Sequence, residues 1–177
     1  MLPLPRQPSY NPILMPVDDA SFRLALSQFA TGVAVVLTRD AAGAPAGLTV
    51  NAFSSVSLDP PLVLICIDVR SDAHDPLAQS GIFGVSVLSE TQEDISRRFA
   101  WRGPEKFEGF VLEHGETGAL LVPGAVAHLE CGVVGAHRGG DHTIYVGEVR
   151  VLRVAPGPPL VYHRGAYRRL AAEGEGK

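Results

Sequence analysis

Two stretches of this chain carry side chains suited to chemistry. Residues 47–61 read Gly-Leu-Thr-Val-Asn-Ala-Phe-Ser-Ser-Val-Ser-Leu-Asp-Pro-Pro. Leu48, Val50 and Ala52 alternate with Thr49 and Asn51, and Val56 with Ser55 and Ser57. That is the period of a strand with two unlike faces, expected over residues 46–56. The polar face carries small hydrogen-bonding groups and no charge, whereas a face meeting bulk water ordinarily carries Lys, Glu or Arg. Such a face suits close approach by a flat polar ligand, oriented by backbone and short side chains. It equally suits a half-buried barrel strand whose hydroxyls bond to neighbouring backbone, and the pattern alone leaves both open.

The second stretch is Gly139-Gly140-Asp141-His142. The glycines permit a tight turn, so His142 opens a strand with its ring near a rim, where imidazole can stack on or hydrogen-bond to a planar heterocycle. A rim histidine can also be a plain solvated turn residue. Tyr162, His163, Tyr167 and Arg168 form a further aromatic and cationic cluster, readable also as a strand that plugs a barrel end. No GxSxG elbow is present, and neither cysteine has the context of a nucleophile. The carboxylate pairs Asp18-Asp19 and Glu93-Asp94 stand at helix starts, where capping and the helix dipole account for them.

The elements that must position these residues follow from composition and pattern. The 177 residues suffice for one domain with a real core, 46% are hydrophobic and 19% charged, and 19 Gly with 14 Pro indicate many turns. A net charge of -4 argues against a nucleic-acid surface. Cys66 and Cys131 lie in apolar runs and read as small core residues, and the six histidines show no metal-ligand spacing. No apolar segment approaches spanning length, and the N-terminus has no basic region followed by an apolar run, so no membrane association and a cytoplasmic location are expected.

Pro3, Pro5, Pro8, Pro12 and Pro16 make residues 1–17 an extended arm. A helix capped by Asp18 or Asp19 should bury the stripe Phe22, Leu26, Phe29 and stop at Gly32. Strands are expected over 33–39, 46–56, 62–68, 82–88, 125–136, 143–154, 160–162 and 167–170, with short helices from Asp75 to Gly81 and from Gln92 to Ala100. Residues 62–68 read as a continuously buried strand, 137–142 as a hairpin tip and 171–177 as a fraying tail. The fold class is mainly β: a Greek-key-type barrel decorated by a few helices over residues 18–170. A doubly wound α/β sheet is disfavoured, since helices are few and no GxGxxG follows a strand.

The ordered set of segments resembles the flavin reductase family. It comprises residues 22–33, the 47–57 stretch followed by Asp59-Pro60-Pro61, residues 68–75, Ile95 to Phe99 with Lys106-Phe107, Gly140-Asp141-His142 and the Tyr167-Arg168 ending. Together these span about residues 20 to 170. The resemblance implies an FMN-binding split barrel working as a homodimer, in which FMN or FAD is reduced by NADH or NADPH and a partner flavin-dependent monooxygenase receives the product. It implies flavin contacts from Thr49, Val50, Asn51, Ala52 and Ser55, and from the loop carrying Asp68, Val69, Ser71 and His74 beside the phosphate. Phe99, Lys106 and Tyr167 would complete the pocket, while Asp141 and His142 would meet the nicotinamide nucleotide, with His142 the one catalytic candidate. A flavoprotein electron carrier and a pyridoxamine-phosphate-oxidase-like oxidase are the alternative functions.

Overall fold

The computed structural model describes residues 16–171. The N-terminal arm therefore falls outside the described residues except for exposed Pro16 and Val17, and so does the tail beyond residue 171. Helix α1 (Asp19–Leu26) starts where Asp18 accepts a bond from the Ser21 amide at 2.9 Å. It ends at Ser27, before Phe29, and no residue of it is buried. The expected core stripe is in fact open: Phe22, Leu26 and Phe29 are 55, 59 and 77% exposed. The interior core is made almost wholly of strand side chains, and α1 contributes none to it.

Seven strands make the main sheet: β2 (Ala34–Arg39), β3 (Pro45–Val50), β4 (Phe53–Leu58), β5 (Pro61–Asp68), β6 (Ile82–Val87), β9 (Ala127–Gly139) and β10 (His142–Val154). The spatial order is β3-β2-β6-β9-β10-β5-β4, antiparallel throughout. The single strand expected over 46–56 is thus two strands on opposite edges, joined by Asn51 and Ala52 alone. Val50 and Phe53 are three chain steps apart and so separated by at most about 11 Å, which brings the ends of these two edge strands near each other at that corner. The corner is tied down by the Cys66 amide donating to the Ala52 carbonyl at 3.1 Å. Alternation is a local signal that continues across such a bend, so the pattern could not reveal it. Beyond the corner the register slips at Val56, and Ser55 and Ser57 face Val63 and Leu62.

β5 also departs from expectation. Val63, Ile65 and Ile67 are buried, but Leu62, Leu64 and Cys66 alternate with them on a half-exposed face. β9 and β10 run to the hairpin tip and turn at Gly140-Asp141, with Gly140 at φ 70°. Short strands β1 (Thr31–Gly32), β11 (Val161–His163) and β12 (Ala166–Arg168) form a second sheet, and β7 (Glu113–His114) pairs with β8 (Leu120–Leu121).

Strand β2 is buried on both faces and so divides two cores. Ala34 and Val36 face the sheet interior with Ile65, Ile67, Phe83 and Tyr145. Val35 and Leu37 face outward onto Leu88, Phe99, Leu120 and Leu160. Each large side chain so buried contributes roughly 1.5–3 kcal/mol. Gly84 is where a side chain would collide with the Leu120 carbonyl, so β8 can approach only a bare backbone. Cys131 sits in the interior core, where burial pushes its thiol up to about 12. Helices α2 (His74–Ser80) and α3 (Glu93–Ala100) connect strands. The residue preceding α2 is Ala73, which gives no side-chain cap, so Asp75 sits in the first turn and is not the cap. Among the described residues no helix is long and apolar enough to cross a membrane.

Candidate functional site

The corner between β3 and β4 is where the surface opens. Asn51 is exposed there and lines three adjoining clefts, of about 260, 200 and 780 Å³. The first is walled by Phe29, Thr31, Phe53 and Val87, the second by Thr49, Ser96, Ala100, Tyr162 and Tyr167. No carboxylate lines either. The third and largest runs between α1 and the β11–β12 turn and ends at Asp141 and His142.

A chain of hydrogen bonds stiffens the second cleft. The Thr49 hydroxyl donates to the Ser96 carbonyl at 2.7 Å, and the Ser96 hydroxyl meets the Tyr167 hydroxyl at 2.8 Å. The Arg97 guanidinium lies 4.8 Å from the Tyr167 ring centre, and Tyr162 packs edge-on to Tyr167 at 5.2 Å. These contacts lock α3, β3 and the C-terminal hairpin into one wall. In the neighbouring cleft the Thr31 hydroxyl oxygen is buried without a partner among the described residues. An unpaired buried hydroxyl is costly and calls for a partner.

At the far end, His142 stands opposite Asp68 across the β10–β5 ladder. Its Nδ1 faces Asp141 Oδ1 at 2.7 Å, which leaves Nε2 the free ring nitrogen. Asp68 is gripped by Arg70 through Nη2 at 2.7 Å, Nε at 3.1 Å and the amide at 2.8 Å. Those bonds hold its carboxyl well below the usual range, and the bond to His142 lowers Asp141 likewise. The Val69 amide donates to the Asp141 carbonyl at 3.0 Å, closing the loop onto the tip.

The structure therefore gathers Thr49, Val50, Asn51 and Tyr167 at the corner and places Asp141 and His142 within the same group of clefts. Val50 itself is buried in the interior core, so its side chain does not face the opening. Ala52 and Ser55 are exposed but line none of these clefts. His74 is largely covered, bonded through Nε2 to Thr143 Oγ1 and through Nδ1 to Asp75, both at 2.9 Å. Ser71 accepts from the Ala73 amide at 3.3 Å and so shapes the loop. Phe99 has no exposed surface: it packs edge-on to Phe107 and Phe110 in the outer core. Its side chain supports the wall from beneath. Lys106 is buried, donates to the Trp101 carbonyl at 3.2 Å, and is pushed down in pKa by that burial. It lines separate clefts beside Asp72 and Trp101, to which Asn51 does not belong.

Phe22, Arg23, Thr31 and Arg164 line the site without having been singled out for it. For Phe22 the signal was present but pointed to the core; for Thr31 and Arg164 the placement depends on contacts far apart in sequence. Among the described residues, no three His, Cys, Asp or Glu side chains come together to hold a metal ion. The arrangement is equipped to bind and orient flat, polar molecules rather than to attack them with a protein nucleophile.

Comparison with known proteins accords with this geometry. An NADH-dependent flavin reductase from a Rhodococcus species is 41% identical over 158 residues, covering 87% of this chain and 88% of that one. The reductase subunit HsaB of a flavin-dependent monooxygenase from Rhodococcus jostii is 38% identical over 152 residues, covering 85% and 77%. The structure of the NADH:FAD oxidoreductase of Streptomyces globisporus, in complex with NAD and FAD fragments, superposes with a TM-score of 0.85 at 39% identity, covering 93% of this chain and 100% of that one. The flavin reductase like domain model matches residues 26–171, and the chain belongs to that family.

Proposed function

We propose that this protein is an NAD(P)H-dependent flavin reductase that binds FMN or FAD at the Asn51 corner and takes hydride from NADH or NADPH. The carrying observation is the corner itself: two uncharged clefts meet at Asn51, and a third joins it to His142. The residues present fit a flavin. The Thr31 hydroxyl is an orphaned buried polar group beside Asn51, and the absence of lining carboxylates suits a ring that gains negative charge on reduction. Bound flavin supplies the hydride acceptor, so the protein needs no acid or nucleophile of its own for that transfer.

The side chains then have definable tasks. Asn51, with the Ala52 backbone beside it, offers directional hydrogen bonds to the ring edge. Thr49, Ser96 and Tyr167 keep that wall from shifting. His142, its Nδ1 turned to Asp141, presents Nε2 and its ring face to the nicotinamide nucleotide and holds it in reacting geometry. Ser55, Asp68, Val69, Ser71, His74 and Lys106 shape or approach the flavin's ribityl and phosphate end, with Phe99 as their support.

Two structural readings accompany this function: the curled sheet is a closed split barrel, and the protein is a homodimer. The second is supported by apolar side chains left open on the sheet, Val56, Leu58, Val134 and Leu152 among them. Relatives that are reductase subunits of flavin-dependent monooxygenases support delivery of the reduced flavin to such a partner.

The test is NAD(P)H oxidation with and without added flavin, on the parent and on Asn51→Glu. Rapid oxidation that requires flavin, and a large loss of flavin affinity in the variant, are expected. An uncompensated carboxylate against the ring should cost several kcal/mol. Unchanged flavin affinity in Asn51→Glu would show the site misplaced, and slow turnover with a tightly held cofactor would identify an electron carrier instead.

A further inference from the structure

We propose that Arg23 and Arg164 form a phosphate clamp for the nicotinamide dinucleotide at the mouth of the large cleft. This rests on the reading that the cleft receives NAD(P)H. Both residues line the 780 Å³ cleft that runs from Asn51 to His142, Arg23 from α1 and Arg164 from the turn between β11 and β12. Neither has a carboxylate within ion-pair distance among the described residues, whereas Arg70, Arg97 and Arg153 are all paired.

Arg164 is held in an unusual way. Its φ is 52°, the one positive value among described residues other than glycine, in a region that side-chain-bearing residues seldom occupy. The turn is pinned to α1 by the Arg164 amide donating to the Ser27 carbonyl at 3.0 Å and by Nε donating to Gln28 Oε1 at 2.7 Å. With Gly165 at φ 74°, Arg164 makes the two-residue turn between His163 and Ala166. With Nε engaged, the terminal nitrogens are left to donate into the cleft.

The rest of the cleft supplies what a dinucleotide needs besides charge. Phe22, Leu26 and Phe29, open to solvent as the chain stands, offer apolar surface for a flat base. Of the two carboxylates in the cleft, Asp141 is engaged by His142, and Asp19 sits in the first turn of α1, whose dipole favours it. Two unpaired guanidiniums beside an aromatic surface match a phosphate next to a base, since arginine's planar fork fits phosphate oxygens in pairs. The phosphate could be the pyrophosphate common to both dinucleotides or the 2′-phosphate found only in NADPH.

The experiment compares parent, Arg23→Gln and Arg164→Gly, the last chosen because glycine accepts the positive φ and preserves the turn. Michaelis constants for NADH and NADPH are measured with saturating FMN across a salt series, and FMN affinity is measured by fluorescence. Each variant should raise a Michaelis constant about tenfold, flatten its salt dependence, and leave FMN affinity and kcat unchanged. An equal rise for both dinucleotides assigns the pyrophosphate, and a rise for NADPH alone assigns the 2′-phosphate. Constants within twofold of the parent for both, with the parent's salt dependence, overturn the clamp while leaving the reductase reading intact. A parent that oxidises neither dinucleotide overturns both.

Discussion

Replacing Glu130 with glutamine should destabilise the protein by about 2 kcal/mol at neutral pH. Glu130 is 1% exposed on β9, yet it is charged. Oε1 accepts from the Glu116 amide at 3.0 Å, and Oε2 accepts from the Thr117 amide at 2.7 Å and hydroxyl at 2.6 Å. Burial pushes this carboxyl up, but the Thr117 and Glu116 bonds outweigh it and the net shift is downward. Glutamine has one acceptor oxygen and one amide nitrogen. Kept toward Thr117, the oxygen preserves two bonds and sets the side-chain NH2 against the Glu116 N–H. That orientation loses one charge-assisted bond and leaves two donors facing each other, each effect roughly 1–3 kcal/mol. Relief of the buried charge and movement of the 115–118 loop offset part of this, hence the figure of about 2. The sign with pH follows from the lowered pKa: the stabilisation is present above the unfolded value of about 4.5 and is lost as pH falls through the lower folded value. Urea unfolding followed by circular dichroism, at one protein concentration and at pH 7 and 3, measures both. A midpoint shift worth less than about 0.5 kcal/mol at pH 7 would refute this account of Glu130, as would a difference that stays constant down to pH 3.

His142→Ala should raise the Michaelis constant for NAD(P)H and leave flavin affinity unchanged, with stability within about 0.5 kcal/mol, because the ring sits at an exposed tip; identical steady-state kinetics would reduce His142 to a turn residue. Gly84→Ala should cost about 3 kcal/mol, since its methyl group meets the Leu120 carbonyl and no flexible end can move aside, and an unchanged melting temperature would contradict that packing. Sedimentation velocity should find a single species of twice the 18.8 kDa chain mass, and a monomer throughout the micromolar range would rule out the homodimer.

The chain's local features were legible in its sequence because each is decided by neighbouring residues. The β9–β10 hairpin announces itself by glycine at the turn and a long Val-rich run on either side, the start of α1 by Asp18, and the core character of Cys131 by the apolar run around it. The ordered motifs carried the family and with it the flavin chemistry. What tertiary structure alone decided is where distant segments meet. Alternation is the same whether residues 46–56 form one strand or two, so only the strand order showed that Asn51 stands at a corner between opposite edges of the sheet. The stripe of Phe22, Leu26 and Phe29 says that one face of α1 avoids water, without saying what covers it; with the interior filled by strand residues, that face lines a cleft. Phe99 matched a motif yet lies beneath the surface, and Arg164 matched none yet is held at the cleft by Ser27 and Gln28, more than a hundred residues away in sequence. Side-chain type limits what a residue can do, but burial and partners are set by packing between segments that no local pattern connects.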